Sequence, residues 1–332
     1  MTDAKKGLDR NLVLGAVRVT EAAAIAASKL MGLGDEHAAD QAAVDAMRTI
    51  LNDLEMQGTV VIGEGERDEA PMLFIGEEVG TGTGARIDIA LDPLEGTTIT
   101  ATGGPNALAV LALAEQGGFL NAPDVYMDKI AVGGGLPDGV VDLDRPAGEN
   151  IRALAEATGR EPADIVACIL DRPRHAKLIE DVRAADARIR LIPDGDIAGV
   201  IATSEPGTGI DIYMGVGGAP EGVLAAAALC CIGGQMQARL QFRNDDERAR
   251  AAGVGIEDFD RKYGLYDLAH GDVMFSATGV TDGSMLDGVH RNSGSITTHT
   301  LVMRARTGTV RLIKTHHHAD RALKGVNRGG AG

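Results

Sequence analysis

Between Glu149 and Ile232 the sequence switches repeatedly between helical periods and short apolar runs, an alternation that leaves few folds open. A helix is predicted over 149–158, and an apolar strand over 164–170 ends in Asp171-Arg172-Pro173-Arg174-His175. A second helix follows, then a strand over 189–192 that ends in Pro193-Asp194-Gly195-Asp196. After a third helix, a strand over 210–216 ends in Gly217-Gly218-Ala219-Pro220-Glu221-Gly222, and an apolar helix runs over 223–232. Strands separated by helices imply parallel βαβ units. The loops after such strands share one rim of the sheet, where α/β proteins place ligands. That rim brings together Arg172, Arg174 and His175 with Asp171, Asp194, Asp196 and Glu221.

Ile87–Thr97 repeats the theme in the first half of the chain. Its apolar run reads as a buried strand. Pro93 cannot donate to a ladder, so the strand is expected to end near Asp92. Gly96 permits a sharp turn, which puts Asp92, Glu95 and the Thr97 hydroxyl at the mouth of the strand. Hard oxygen ligands of this kind suit Mg²⁺ or Mn²⁺. An acidic surface turn uses the same residue types, and this stretch alone does not choose between the two. The strand predicted over 59–62 likewise runs into Gly63-Glu64-Gly65-Glu66-Arg67-Asp68-Glu69. Asp40 falls inside a predicted helix that Asp35 caps, so it is either on a solvated face or a ligand. Glu221 suits a helix first turn equally well as a plain dipole partner.

Composition narrows the function classes. Thirty-two basic and 48 acidic residues leave a formal charge of −16, which disfavours nucleic acid and anionic membranes as partners and favours divalent cations. The three cysteines lie in apolar runs without metal or redox spacing, which fits reduced thiols and a cytoplasmic address. No apolar signal core opens the sequence. The linker-like Arg145-Pro146-Ala147-Gly148 places an expected boundary between an N-terminal metal-binding α+β subdomain (1–147) and a C-terminal α/β substrate subdomain (148–332). The final strands remain free to return to the N-terminal part. Residues 241–266 read as helix and loop over the surface. His316-His317-His318 reads as a solvated strand end rather than a transition-metal site.

Five carboxylates therefore stand out: Asp40, Glu64, Asp92, Glu95 and Glu221. Such a set can hold two or more divalent cations, which activate water and neutralise phosphate oxygens. Thr97 can orient the attacking water, and Asp68 can accept a proton or simply be a solvated loop acid. Arg172, Arg174 and His175 can hold a second anionic group, which predicts a substrate phosphorylated at two ends.

The ordered motifs Gly63-Glu64-Gly65-Glu66 with Asp68-Glu69-Ala70-Pro71-Met72-Leu73, Asp92-Pro93-Leu94-Glu95-Gly96-Thr97, and 120–127 resemble those of class II fructose-1,6-bisphosphatases. Arg172-Pro173-Arg174-His175, Pro193-Asp194-Gly195-Asp196, 217–222 and 275–279 continue the resemblance, which runs in order from Arg18 to Arg321. The Asp92–Thr97 box also resembles the wider lithium-sensitive sugar and inositol phosphatases. The resemblance implies a layered α/β/α/β/α fold with two sheet-containing subdomains. It implies metal-dependent removal of the 1-phosphate of fructose 1,6-bisphosphate, with Mg²⁺ or Mn²⁺ at two or more places in the site. It puts metal ligands at Asp40, Glu64, Asp92, Glu95 and Glu221. It puts substrate contacts at Glu95, Gly96, Thr97, Tyr126, Arg172, Pro173, Arg174, Asp194, Gly195, Asp196 and Gly218. A homodimer or homotetramer is expected. Glu36 departs from the family, which carries Lys at that place. Sedoheptulose 1,7-bisphosphate is an alternative second substrate, and a non-catalytic sugar-phosphate binder is the alternative from another class.

Overall fold

A computed structural model describes residues 8–65 and 71–318. It divides into two compact units, one made of Met1–Gly118 with Gly271–Gly332 and the other of Phe119–His270. In the first unit the chain passes through α1 (Leu12–Ala27), α2 (Glu36–Leu51), β1 (Met56–Ile62), β2 (Glu78–Val79), β3 (Ala85–Glu95), α3 (Thr97–Thr102) and β4 (Leu108–Glu115). The second unit carries β5 (Tyr126–Gly133), α4 (Ala147–Thr158), β6 (Val166–Leu170), α5 (Ala176–Ala184), β7 (Arg188–Ile192), α6 (Asp196–Ile201) and β8 (Ile212–Gly218). It continues with α7 (Ala219–Ile232), β9 (Gly234–Gln241), α8 (Asp245–Gly253), β10 (Tyr263–Gly264) and α9 (Leu265–Leu268). The chain returns to the first unit with β11 (Met274–Gly279), β12 (His290–Asn292), β13 (Ser295–Arg304) and β14 (Thr309–His318).

The division falls earlier than the 147/148 boundary suggested by the linker-like residues. The reason is pairing: β5 bonds to β8 and β9, so the chain has entered the second unit before it reaches Pro146.

In the first unit the strand order is β12-β13-β11-β4-β3-β1-β2, with β14 on the other edge of β13. Helices α1 and α2 pack on this sheet. The Asp35 side chain accepts from the Ala38 amide at 2.9 Å and starts α2. Ala39, Ala43, Met47 and Leu51 then form the buried stripe of that helix at helical spacing. The core is built from Ala, Val, Ile, Leu and Met because the chain has no Trp and only five Phe.

The second sheet runs β10-β9-β5-β8-β6-β7. Strands β6, β7 and β8 are parallel, as βαβ units require, whereas β5 is antiparallel to both β8 and β9. Ile130, Ile169 and Met214 face a core shared with Leu154 of α4 and Val182 of α5. Helices α6 and α7 also pack on this sheet. Small side chains allow the close approach, and Ala225, Ala226, Ala227 and Ala228 of α7 are all buried. Two mixed sheets with packed helices make the protein a mixed α/β fold. No helix among the described residues is long and apolar enough to cross a membrane.

One sequence reading changes and one strand was not foreseen. β3 does not stop at Asp92 but runs on to Glu95, with an irregularity in its pairing to β4 between those residues. A bulge absorbs Pro93, which cannot donate to the ladder. β9 precedes the polar stretch at 241–266 and was not announced by it. It buries Met236, Ala238 and Leu240 on one face and keeps Gln235, Gln237 and Arg239 on the other, so no continuous apolar run marks it. His316 and His317 sit on the outer strand β14, against Thr297 Oγ1 at 3.3 Å and Thr298 Oγ1 at 3.0 Å.

Candidate active site

In the first unit, Asp40 of α2 meets Glu64 in the loop after β1, and their carboxyl groups are hydrogen-bonded to each other. Gly63 makes the approach of this loop feasible, since a Cβ there would stand 2.1 Å from the Leu73 carbonyl oxygen. The Glu64 amide instead donates to that carbonyl at 3.0 Å. Burial, and then the neighbouring Asp40 charge, push Glu64 up to about 8. Burial raises Asp40 as well, against the pull of His37. Two touching carboxyls are stable only if a proton or a cation lies between them. Their donor chemistry fits a divalent cation, which would take the place of the shared proton.

Among the described residues, no three His, Cys, Asp or Glu side chains are arranged as a ready-made metal cage. Asp92 Oδ1 accepts from the Leu94 amide at 3.1 Å, which folds the bulge back on itself. Glu95 is buried at the end of β3. Gly96 has φ 88°, a left-handed conformation that suits glycine, and it turns the chain directly into α3. Thr97 is thus the first residue of that helix and half-buried, and its hydroxyl makes no hydrogen bond to a described residue. Asp68 lies outside the described residues.

In the second unit the arginines of the loop after β6 tie that loop to the one after β7 and to β8 itself. The Arg172 Nη1 donates to the carbonyls of Pro193 and Asp171, the second at 3.2 Å, and its Nη2 is 3.9 Å from Asp194 Oδ1. Pro173 starts the short 3₁₀ turn Pro173–His175. Arg174 donates from Nε and Nη2 to the Val216 carbonyl at 3.0 and 2.8 Å. Its guanidinium also lies over the Tyr126 ring, 4.9 Å from the centroid. Tyr126 pairs in register with Gly218 of β8.

His175 does not act as expected. The ring is buried, Nε2 accepts from the Val216 amide at 2.8 Å, and Nδ1 therefore carries the hydrogen that faces the Leu170 carbonyl at 2.7 Å. Burial also lowers its pKa, so the ring is held neutral. His175 ties β6 to β8 and has no nitrogen left for an anion.

Asp194 Oδ1 accepts from the Gly195 amide at 3.1 Å, and Gly195 at φ 85° turns the chain into α6. Asp196, the first residue of α6, is buried and ion-paired to Lys129. Lys129 is 1% exposed, and its Nζ also donates to the Gly218 carbonyl at 2.8 Å. This explains the glycine pair. A Cβ at Gly217 would stand 2.1 Å from Asp196 Oδ2, and one at Gly218 would stand 1.8 Å from Glu221 Oε2. Glu221 opens α7. Burial and then the Asp196 charge raise it to about 7, while Lys129 opposes the shift. Its Oε2 is shielded from solvent and has no hydrogen-bond partner among the described residues. An orphaned carboxylate oxygen of this kind is what a cation would satisfy.

Lys129 was missed by sequence reasoning. The available signal was one lysine on the Met127-Lys129-Ala131 face of a strand that is otherwise closed to water, since such a lysine needs an acid partner.

Residues 10–317 match the family described as bacterial fructose-1,6-bisphosphatase, glpX-encoded. The chain is 46% identical over 326 residues to fructose-1,6-bisphosphatase 1 class 2 of Escherichia coli K12, an alignment that covers 94% of this chain and 96% of that one. The class 2 enzymes of Escherichia coli O6:H1 and Shigella flexneri show the same 46% identity and the same coverage.

Proposed function

The chain belongs to the bacterial fructose-1,6-bisphosphatase family, and from that premise we propose that it is a phosphoric monoester hydrolase that removes the 1-phosphate of fructose 1,6-bisphosphate. The observation that carries this reading is the Asp40–Glu64 pair, two acids from separate segments brought together where a cation can replace their shared proton. A divalent cation, Mg²⁺ or Mn²⁺, supplies Lewis acidity and charge neutralisation when bound. Asp40, Glu64, Asp92, Glu95 and Glu221 are the proposed ligands, for two or more such cations.

Thr97 presents a hydroxyl at the N-terminus of α3 and hands a proton between water and a neighbouring acceptor, with Asp68 as the proposed partner. Gly96 and Glu95 set the position of that hydroxyl. In the second unit, Arg172 and Arg174 hold the phosphate that is not cleaved, over the face of Tyr126. The Asp194-Gly195-Asp196 turn and the Gly218 backbone border the sugar. A cytoplasmic setting follows from an intracellular sugar phosphate as substrate.

Phosphate release across a panel of sugar phosphates, with Mg²⁺, with Mn²⁺ and after exhaustive chelation, tests the reading. Fructose 1,6-bisphosphate is expected to be turned over with either metal and not after chelation. Equal turnover of sugar monophosphates would overturn the assignment of the arginines, and turnover in the chelated protein would overturn the metal's role.

A further inference from the structure

Tyr126 carries a second guanidinium. The Arg243 guanidinium carbon lies 5.1 Å from the ring centroid, against 4.9 Å for Arg174. The two arginines arrive from different elements. Arg174 comes from the turn after β6, while Arg243 stands two residues beyond Gln241, the β9 residue paired with Tyr126. Tyr126 is therefore flanked by Gly218 on one side of the sheet and by the end of β9 on the other.

Both side chains are anchored through Nε, one on a backbone carbonyl and the other on a carboxylate. Arg174 commits Nε and Nη2 to the Val216 carbonyl. Arg243 commits Nε to Glu247 Oε1 at 2.5 Å, and its own amide donates to Glu247 Oε2 at 2.6 Å. Glu247 is buried in the first turn of α8, where Asn244 Oδ1 accepts from the Glu247 amide at 2.9 Å. The carboxylate is thus a fixed peg for an arginine that is itself 59% exposed. A guanidinium has five N–H donors. No hydrogen bond from either Nη of Arg243, or from Nη1 of Arg174, reaches a described residue.

Two like charges beside one aromatic ring repel each other, and a phosphate dianion relieves that repulsion while accepting from both forks. We infer that Arg243 is a third cationic contact, with Arg172 and Arg174, for the phosphate that is not cleaved, and so a specificity-determining residue for bisphosphates. The inference rests on the proposed bisphosphatase reading. Sequence reasoning missed Arg243 because it lies in the polar stretch read as surface.

The test compares Arg243→Lys with the pair Arg243→Met plus Glu247→Gln, which removes the charge without stranding a buried carboxylate. Thermal melting checks the fold of both. Two quantities are measured in the metal-loaded protein. One is kcat/KM for fructose 1,6-bisphosphate relative to p-nitrophenyl phosphate, which has no second phosphate. The other is the affinity for fructose 6-phosphate by calorimetry. The double variant is expected to lose about tenfold or more in both, the scale of one charge-assisted hydrogen bond, chiefly through KM. Arg243→Lys is expected to recover part of the loss, since it restores charge without the fork.

A preference and an affinity equal to those of the parent overturn the inference, as does a loss shared equally by the two substrates. Arg174→Met run in parallel separates the two levels. If it raises KM for the bisphosphate while the Arg243 variants do not, only the Arg243 role fails. If the parent binds fructose 6-phosphate with Arg243 dependence but hydrolyses no bisphosphate, the proposed function fails and the anion contact stands.

Discussion

Two buried pairs, one in each unit, handle charge in opposite ways. In the first, Asp40 and Glu64 are pressed together, His37 opposes the shift at Asp40, and both pKa values rise. In the second, the buried acid Asp196 has its own cation in Lys129, and Arg172 and Arg174 are anchored on backbone carbonyls. The Asp40–Glu64 pair, like the orphaned Glu221 oxygen of the second unit, has the chemistry to take a cation from solution, whereas Asp196 has its cation within the chain. In the proposed function this becomes a division of labour between residues, with metal chemistry at Asp40, Glu64 and Glu221 and anion holding at Arg172 and Arg174.

The largest effect is expected from breaking the internal pair. Lys129→Met leaves Asp196 buried without its cation, with only the Tyr213 hydroxyl at 3.5 Å among the described side chains, and should cost about 3–5 kcal/mol of stability, the usual result of removing one side of a buried ion pair. Denaturant unfolding of the variant measures it. A loss under 1 kcal/mol, on the scale of an exposed pair, would erase the contrast between the two buried pairs.

Thr97→Ala tests the chemical side. It should lower kcat by about a hundredfold or more, the scale of a positioned proton transfer, and leave KM nearly as it was. Added metal should not restore it, whereas the defect of Glu221→Gln should shrink as metal is titrated in. Rescue of Thr97→Ala by metal would show that the hydroxyl serves the ion rather than the proton.

Arg174→Ala tests the holding side. A lost charged hydrogen bond is worth roughly 1.5–3 kcal/mol, which should appear mainly as a higher KM for the bisphosphate. A purely kcat effect would place Arg174 with the chemistry and blur the division.

The smallest effect is a pH dependence. In the metal-free protein Glu64 keeps its proton up to about 8, and Glu221 up to about 7, against an ordinary value of 4.5 for both. Between 4.5 and those values the folded state binds more protons than the unfolded chain, so these two groups make stability fall as pH rises. Metal binding releases the protons, so the rise in Tm on adding Mn²⁺ should be larger at pH 8 than at pH 6. In chelator, a Tm contribution from Glu64→Gln that does not grow with pH over this range would refute the shared proton.

The sequence by itself determined the local grammar. Gly96 and Gly195 marked the turns that follow β3 and β7, and Asp35 marked the start of α2, because capping and left-handed backbone act within a few residues; Pro93 misplaced the end of β3, since a bulge absorbs it. The alternation over 149–232 was enough for the parallel strands β6, β7 and β8. Only the tertiary structure decided which groups face one another. It put Lys129 against Asp196, took His175 out of the anion set by engaging both ring nitrogens, and set Arg243 over Tyr126. Those outcomes depend on strand register and on burial, and a side chain's charge state follows from the dielectric and partners it meets after folding, which the order of residues does not display.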